Sequence, residues 1–121
     1  MITKEDLDAF EYYNENLNMT MNYYQKQAEG TAIYKSEHRL IYPALGLAAE
    51  AGEVANKVKK ILRDGKFDRN AIADEVGDCL WYIAALCRDL NSDMTTIATR
   101  NLEKLYDRKD RGVISGNGDN R

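Results

Sequence analysis

The sequence predicts an all-α fold, because apolar residues recur at helical spacing along most of the chain and nothing alternates as a β-strand does. Two segments, starting at Leu47 and at Ile72, carry apolar residues at alternating intervals of four and three. The single proline, Pro43, stands near the start of the first segment, where a helix tolerates it. Because such apolar seams have to be buried against other helices, we expect a four-helix-type bundle.

The sequence also predicts where the first three helices begin or end. The first helix is expected over Lys4–Ala28, and a break near Asn14–Asn18 is left open. The second begins around Pro43 and ends at Gly65, since glycine is the usual residue just past a helix end. Asp68 is the expected N-cap of the third.

The fourth helix is expected over Met94–Arg108, after the break at Asn91-Ser92-Asp93, with Ile97, Leu102 and Leu105 facing inward. The residues that follow are rich in Gly, Asn and Asp and have no periodicity. We therefore expect one helical domain over residues 1–111 and a flexible C-terminal tail over residues 112–121. A flap that folds over a bound ligand is the alternative for this tail.

Composition excludes several classes of partner. The 121 residues include 17 basic and 20 acidic side chains, a net charge of −3 that gives no general attraction to nucleic acid or anionic lipid. No apolar run is long enough to span a membrane, and the polar N-terminus does not resemble a secretory signal. Cys79 and Cys87 lack metal-site spacing, so reduced cysteines in a cytoplasmic protein are expected.

Two acidic tetrads stand at matching places in the second and third helices. Glu50 and Glu53 in EAGE are three residues apart, as are Glu75 and Asp78 in EVGD, and each carboxylate precedes an apolar seam position. Residues three apart project from one helix face. If the two seams pack together, all four carboxylates converge at one edge of the helix pair.

The cost of this arrangement indicates a purpose. Like charges at this spacing destabilise a helix, and buried carboxylates are usually paired or bound to metal. Each tetrad also holds a glycine, Gly52 or Gly77, which is unfavourable inside a helix and indicates close approach of the helices or of a ligand. A solvated acidic face is the alternative.

All-oxygen ligation favours a hard cation, and Mg²⁺ typically binds through carboxylates, waters and substrate phosphates. We therefore expect Mg²⁺, for which Mn²⁺ can substitute. A di-iron bundle needs histidine ligands within its motifs, and the only histidine, His38, lies outside both tetrads.

Three stretches of the chain resemble the MazG-like all-α nucleoside triphosphate pyrophosphohydrolases: Leu45–Val54, Asp74–Tyr82 and Asn101–Leu105. The family pattern is ExxE followed by ExxD, and the 21 residues between Glu53 and Glu75 are similar to the family's spacing. The resemblance covers most of the chain.

The resemblance implies cleavage of a nucleoside triphosphate, ribose or deoxyribose, between the α and β phosphates, giving monophosphate and pyrophosphate. It implies Mg²⁺ held by Glu50, Glu53, Glu75 and Asp78, with Glu53 as the general base. It also implies a homodimer or a dimer of dimers, with helices shared across the interface. Family members often clear non-standard or surplus nucleotides from the pool.

Several other side chains are candidates for binding the triphosphate. Cationic side chains can contact the phosphates, and an aromatic ring can stack on the base. The candidate residues either share a helix face with the acidic residues or lie together on the fourth helix. The candidates are Lys57, Lys60, Trp81, Tyr82, Asn101, Lys104 and Arg108. For any single lysine, a solvated surface position is the alternative.

Other functions remain open at this point. A phosphoribosyl-ATP pyrophosphohydrolase would use the same metal chemistry. A non-catalytic helical module could sense nucleotide or metal, and a helical interaction protein could carry the acidic stripe without binding either. Pyrophosphate release with and without Mg²⁺ separates the enzymes from the other two.

Overall fold

The structure, a computed structural model, describes residues 3–8 and 19–121. Within them the regular secondary structure is helical and no strand occurs, which confirms the predicted all-α fold. The helices are α1 (Met21–Glu29), α2 (Ile41–Asp64), α3 (Arg69–Asp89) and α4 (Met94–Asp110), with a 3₁₀ helix at Ser36–His38 before α2. Residues 4–8 are also helical. None of the helices in the described ranges combines the length and apolar character that crossing a bilayer requires.

The predicted end of α2 and the predicted starts of α3 and α4 are confirmed by their caps. Gly65 ends α2 with φ of 70°, a left-handed conformation that glycine adopts without strain. The Asp68 side chain accepts a hydrogen bond from the Ala71 amide at 3.0 Å and caps α3. The Asp93 side chain caps α4 in the same way, from the Thr96 amide at 2.8 Å.

The prediction of one helix over Lys4–Ala28 is wrong, because the chain is not helical at residues 19–20. The Thr20 hydroxyl accepts a hydrogen bond from the Tyr23 amide at 3.1 Å and starts α1 afresh. A serine or threonine N-cap satisfies one of the free amides of a first turn. The predicted break near Asn14–Asn18 lies outside the described residues.

The helix pair α2 and α3 forms the main body, and residues 65–68 connect it as an αα-hairpin. Helix α1 packs on α3 and also contacts α4. The Gln25 side chain links α1 to the start of α4. It accepts a hydrogen bond from the Met94 amide at 2.7 Å and donates one to the Ser92 carbonyl at 3.0 Å.

Few of the residues that the structure describes are buried apolar ones. The core centres on Ala28, Ala84, Cys87 and Met94, with Tyr24 and Trp81 packed against it. Both cysteines are free, as predicted.

Two apolar positions of the helices are exposed in the single chain. Val76 of α3 is 52% exposed, and Leu102 of α4, expected to face inward, is 54% exposed. Helix α2 makes its main contact with α3, and within the described ranges several apolar side chains of this pair are exposed.

Candidate metal and nucleotide site

Helices α2 and α3 bring three carboxylates together. Glu50 of α2 and Glu75 and Asp78 of α3 each offer an oxygen atom, and these oxygens lie within 4.8 Å of one another. Glu50 and Glu75 are half-buried, whereas Asp78 is exposed. We call these three residues the carboxylate cluster. Glu53, one turn further along α2, is exposed and does not belong to it.

The cluster is electrostatically uncompensated. Burial raises the pKa of the Glu50 carboxyl, as do a hydrogen bond with Glu75 and the negative charges of Asp78, Glu75 and Glu53. Among the described residues, no lysine or arginine forms an ion pair with the cluster. Carboxylates that repel one another without a counter-ion are a donor set suited to a hard cation such as Mg²⁺.

An acidic cavity of about 300 Å³ opens beside the cluster. Glu50, Asp78, Trp81 and Tyr82 line it, so two of the predicted aromatic contacts lie next to the acids. Burial raises the pKa of the Tyr82 hydroxyl, and neighbouring Tyr42 and the charges of Glu50 and Asp78 add to this effect. The Tyr82 ring rests directly on Gly46, where a β-carbon would collide with it.

A second cavity, of about 330 Å³, shares Trp81 and Tyr82 with the first. We call it the aromatic recess, because four of its side chains are aromatic. The Tyr34 and Tyr42 rings are stacked at 4.9 Å, and Trp81 meets Tyr82 edge-to-face at 5.0 Å. The remaining lining residues are Thr31, Ile33, Lys35 and His38. Planar rings beside a polar, acidic cavity can accept a ligand with an aromatic and an anionic part.

The sequence pattern missed part of this recess. Tyr34, His38 and Tyr42 line it, although none of them belongs to a motif of the sequence. The connection between α1 and α2 has no repeating pattern, so the inward-facing residues depend on its tertiary contacts.

The predicted cations lie elsewhere in the single chain. Lys57 and Lys60 line a separate cavity of about 210 Å³ with Asp64 and Asp68, where α2 ends and α3 begins. Asn101 is exposed on α4. The acidic cavity therefore has none of these three side chains in its wall.

Lys104 and Arg108 face the C-terminal segment. Arg108 is 4% exposed and donates a hydrogen bond to the Asp119 carbonyl at 2.7 Å. The Lys104 ammonium lies 3.9 Å from the Asp119 carboxylate. Arg121 further closes residues 112–121 into turns by donating to the Val113 and Ile114 carbonyls, at 3.2 and 3.1 Å.

The two tetrad glycines do not mark close helix packing. Apart from the chain neighbours of each glycine and the adjacent backbone of its own helix, no atom of the described residues lies within 4 Å of a β-carbon built on Gly52 or on Gly77. The expectation of close helix approach at these positions is therefore wrong for the single chain. The close approach lies instead at Gly46, beneath Tyr82.

Comparison with known proteins gives this geometry a family. The sequence profile of the MazG nucleotide pyrophosphohydrolase domain matches residues 40–113, which is more than half of the chain. The chain is also 47% identical over 114 residues to the "Gene 37 protein" of Mycobacterium phage L5, an alignment covering 85% of this chain and all of that protein. No solved structure gave a significant match. The extent of the profile match and the all-helical fold show that this chain belongs to the MazG nucleotide pyrophosphohydrolase domain family.

Proposed function

We propose that the protein is a Mg²⁺-dependent nucleoside triphosphate pyrophosphohydrolase that releases pyrophosphate and a nucleoside monophosphate, for house-cleaning or for control of the nucleotide pool. One observation carries the proposal beyond family membership. The carboxylate cluster and the aromatic recess are joined through a common wall, Trp81 and Tyr82. A metal-bound triphosphate and an aromatic base need such adjoining environments.

In this proposal Glu50, Glu75 and Asp78 hold Mg²⁺ through their carboxylate oxygens. When bound, the ion supplies neutralisation of phosphate charge and activation of water. Glu53 is outside the cluster, but its negative charge contributes to the raised pKa of Glu50. A carboxylate so placed can accept the proton of the attacking water, which is why we assign Glu53 the role of general base. A fourth metal bond from Glu53 stays a prediction.

The base of the nucleotide is proposed to enter the aromatic recess. The Trp81 indole is held in place by the hydrogen bond from its Nε1 to the Thr31 hydroxyl at 2.7 Å. A fixed ring offers a stacking surface at little entropic cost. The phosphate contacts expected from the cationic and amide side chains on α2 and α4 stay predictions, because the single chain does not place them at the acidic cavity.

We also propose that the chain works as a dimer or a dimer of dimers, completing a helical bundle. Large apolar side chains on α2, α3 and α4 are exposed; Leu62 reaches 88%. Exposed apolar side chains on several helices of one chain favour a self-complementary interface with a second copy. Sedimentation should show at least a dimer at micromolar concentration, and a stable monomer there would remove this part of the proposal.

The decisive assay is a screen of canonical and modified nucleoside triphosphates with Mg²⁺, with identification of both products. We expect pyrophosphate and monophosphate, and no hydrolysis after chelation. Glu53→Gln should abolish hydrolysis while Mg²⁺ still raises the melting temperature, because the cluster keeps its three carboxylates. Glu103→Gln, at an exposed acid of α4, is the matched control. Release of orthophosphate alone, or full activity of Glu53→Gln, would contradict the proposed reaction or the assigned base, respectively.

A further inference from the structure

Asp89, near the end of α3, holds both ends of the segment that shapes the aromatic recess. Its Oδ2 accepts hydrogen bonds from the Tyr34 hydroxyl at 2.8 Å and from the Leu40 amide at 2.9 Å. The segment between these two residues contains Lys35 and His38 of the recess, and Tyr42 lies two residues after Leu40. One carboxylate oxygen therefore closes this loop.

Arg88 completes the arrangement. Its guanidinium donates to Asp89 Oδ1 from Nε at 3.1 Å and to the Tyr34 hydroxyl from Nη2 at 2.6 Å, and it lies over the Tyr34 ring at 5.1 Å from the centroid. The Tyr34 hydroxyl thus donates to one partner and accepts from the other. A ring fixed at both its hydroxyl and its face has little freedom to turn.

The backbone at Leu40 shows that the loop is held rather than relaxed. Leu40 has φ of 66° and ψ of −50°, and the Ile41 amide bonds back to the Arg39 carbonyl at 2.7 Å. This is a γ-turn with positive φ, a rare and strained conformation for a residue with a side chain. Such a turn persists when surrounding contacts impose it, and the Asp89 bond to the Leu40 amide is one such contact.

We propose that Asp89 is a positioning residue for nucleotide binding: with Arg88 it fixes Tyr34 and the Leu40 turn, and so sets the stacked Tyr34–Tyr42 wall against which the base binds. The inference rests on the proposed function, in that the recess is taken as the base site. Asp89 itself does not touch the substrate, since its side chain is fully buried. It also stands eleven residues after Asp78, about 16 Å along the helix axis, too far to act on the phosphates.

The experiment measures KM and kcat for a nucleoside triphosphate, together with inhibition by inorganic tripolyphosphate, which has the phosphates but no base. Asp89→Ala should raise KM about tenfold, because the aromatic wall loses its anchor, and change kcat by less than about threefold. The inhibition constant of tripolyphosphate should stay the same. Tyr34→Phe keeps the ring but loses the bridging hydroxyl, and should raise KM about threefold. Asp89→Asn keeps an acceptor and should fall between the wild type and Asp89→Ala.

Asp93→Ala is the matched control, because it removes a helix-capping acid on α4 and leaves the recess intact. It should lower the melting temperature without changing KM. Equal weakening of the nucleotide and tripolyphosphate, or an unchanged KM in Asp89→Ala and Tyr34→Phe, would overturn the inference. If Asp89→Ala does not fold, Tyr34→Phe and Asp89→Asn decide the question on the same criteria.

Binding followed through the fluorescence of Trp81, the single tryptophan, separates this inference from the proposed reaction. If the wild type binds nucleotides without hydrolysing them and Tyr34→Phe weakens that binding, the reaction is wrong and the role of Asp89 stands. If the wild type hydrolyses nucleotides and the variants bind as it does, the reaction stands and the inference falls. If it neither binds nor hydrolyses, both fall.

Discussion

Helix α3 carries two acidic regions that the structure treats in opposite ways. Around Asp78, the carboxylate cluster has no cationic partner among the described residues, and burial together with the neighbouring carboxylates raises the pKa of Glu50. Around Asp89, burial opposes ionisation, but hydrogen bonds from Leu40, Tyr34 and Arg88 outweigh it and lower the pKa. Carboxylates therefore lie beside other carboxylates in one region and are hydrogen-bonded by protein donors in the other.

This difference distinguishes an acid kept for a ligand from an acid kept for the fold. A carboxylate that repels its neighbours gains most when a cation arrives from outside, so its stabilisation depends on ligand concentration. A carboxylate bonded by protein donors is stabilised by the folded chain alone. Mutations in the carboxylate cluster should consequently lower activity without lowering the stability of the metal-free protein. Mutations around Asp89 should lower both stability and substrate affinity.

The largest expected effect is the loss of activity in Asp78→Asn. Removing one carboxylate of the cluster should reduce pyrophosphate release by about a hundredfold or more, since loss of even the outer partners of metal ligands typically costs about 10- to 100-fold. The increase in melting temperature caused by Mg²⁺ should shrink as well. Asp74→Asn, at an exposed acid on the same helix, should retain both. Equal activity of the two variants would show that the carboxylate cluster is not needed for hydrolysis.

The second prediction compares unfolding in the absence of metal. Asp89→Ala should lower the free energy of unfolding by about 1.5–3 kcal/mol, because it removes hydrogen bonds that involve a charged acceptor. Glu50→Gln should leave that free energy unchanged or raise it, because it relieves repulsion. Urea denaturation with a chelator present measures both. Destabilisation of equal size in the two variants would show that the cluster is as structural as the Asp89 network.

The third prediction concerns Gly46, which lies against the Tyr82 ring in the wall of the acidic cavity. Gly46→Ala should cost about 1–3 kcal/mol of stability, because the added methyl group overlaps the Tyr82 ring and displaces it. The KM for the nucleotide should rise as well, because the Tyr82 ring is displaced. Gly52→Ala is the sharper comparison, since its methyl group meets open space and should stabilise the metal-free helix by up to about 1 kcal/mol. Thermal melts of both variants measure the difference; a destabilised Gly52→Ala protein would indicate that another chain packs there.

The smallest effect is a pH dependence of opposite sign in the two regions, again without metal. The pKa of Asp89 is below its ordinary value of 3.8, so its stabilisation is present above pH 3.8 and is lost as the pH falls below that value. The pKa of Glu50 is above its ordinary value of 4.5, so the folded chain binds the extra proton and stability falls as the pH rises above 4.5. Asp89→Asn should reduce the loss of stability at low pH, and Glu50→Gln should reduce the loss of stability as the pH rises above 4.5. Thermal melts recorded from pH 3 to 7 in steps of about half a unit measure both effects.

The extents of α2, α3 and α4 could be predicted from the sequence because their signals are local. Asp68 and Asp93 cap helices through amides three residues away, and Gly65 ends one through its own backbone freedom. That the two carboxylates of each tetrad share one helix face could also be predicted, since a three-residue spacing places side chains on one face whatever the helix packs against.

What only the tertiary structure decided depends on contacts between residues far apart in the chain. Glu53 stays outside the cluster because helix rotation and crossing, which no local pattern encodes, determine which carboxylates meet. Tyr42 enters the recess, and Asp89 reaches Leu40, because the irregular segment between α1 and α2 folds back onto the end of α3. Periodicity reports the face of a helix, whereas the position of a loop is set by the sum of its long-range hydrogen bonds, and those exist only once the helices have packed.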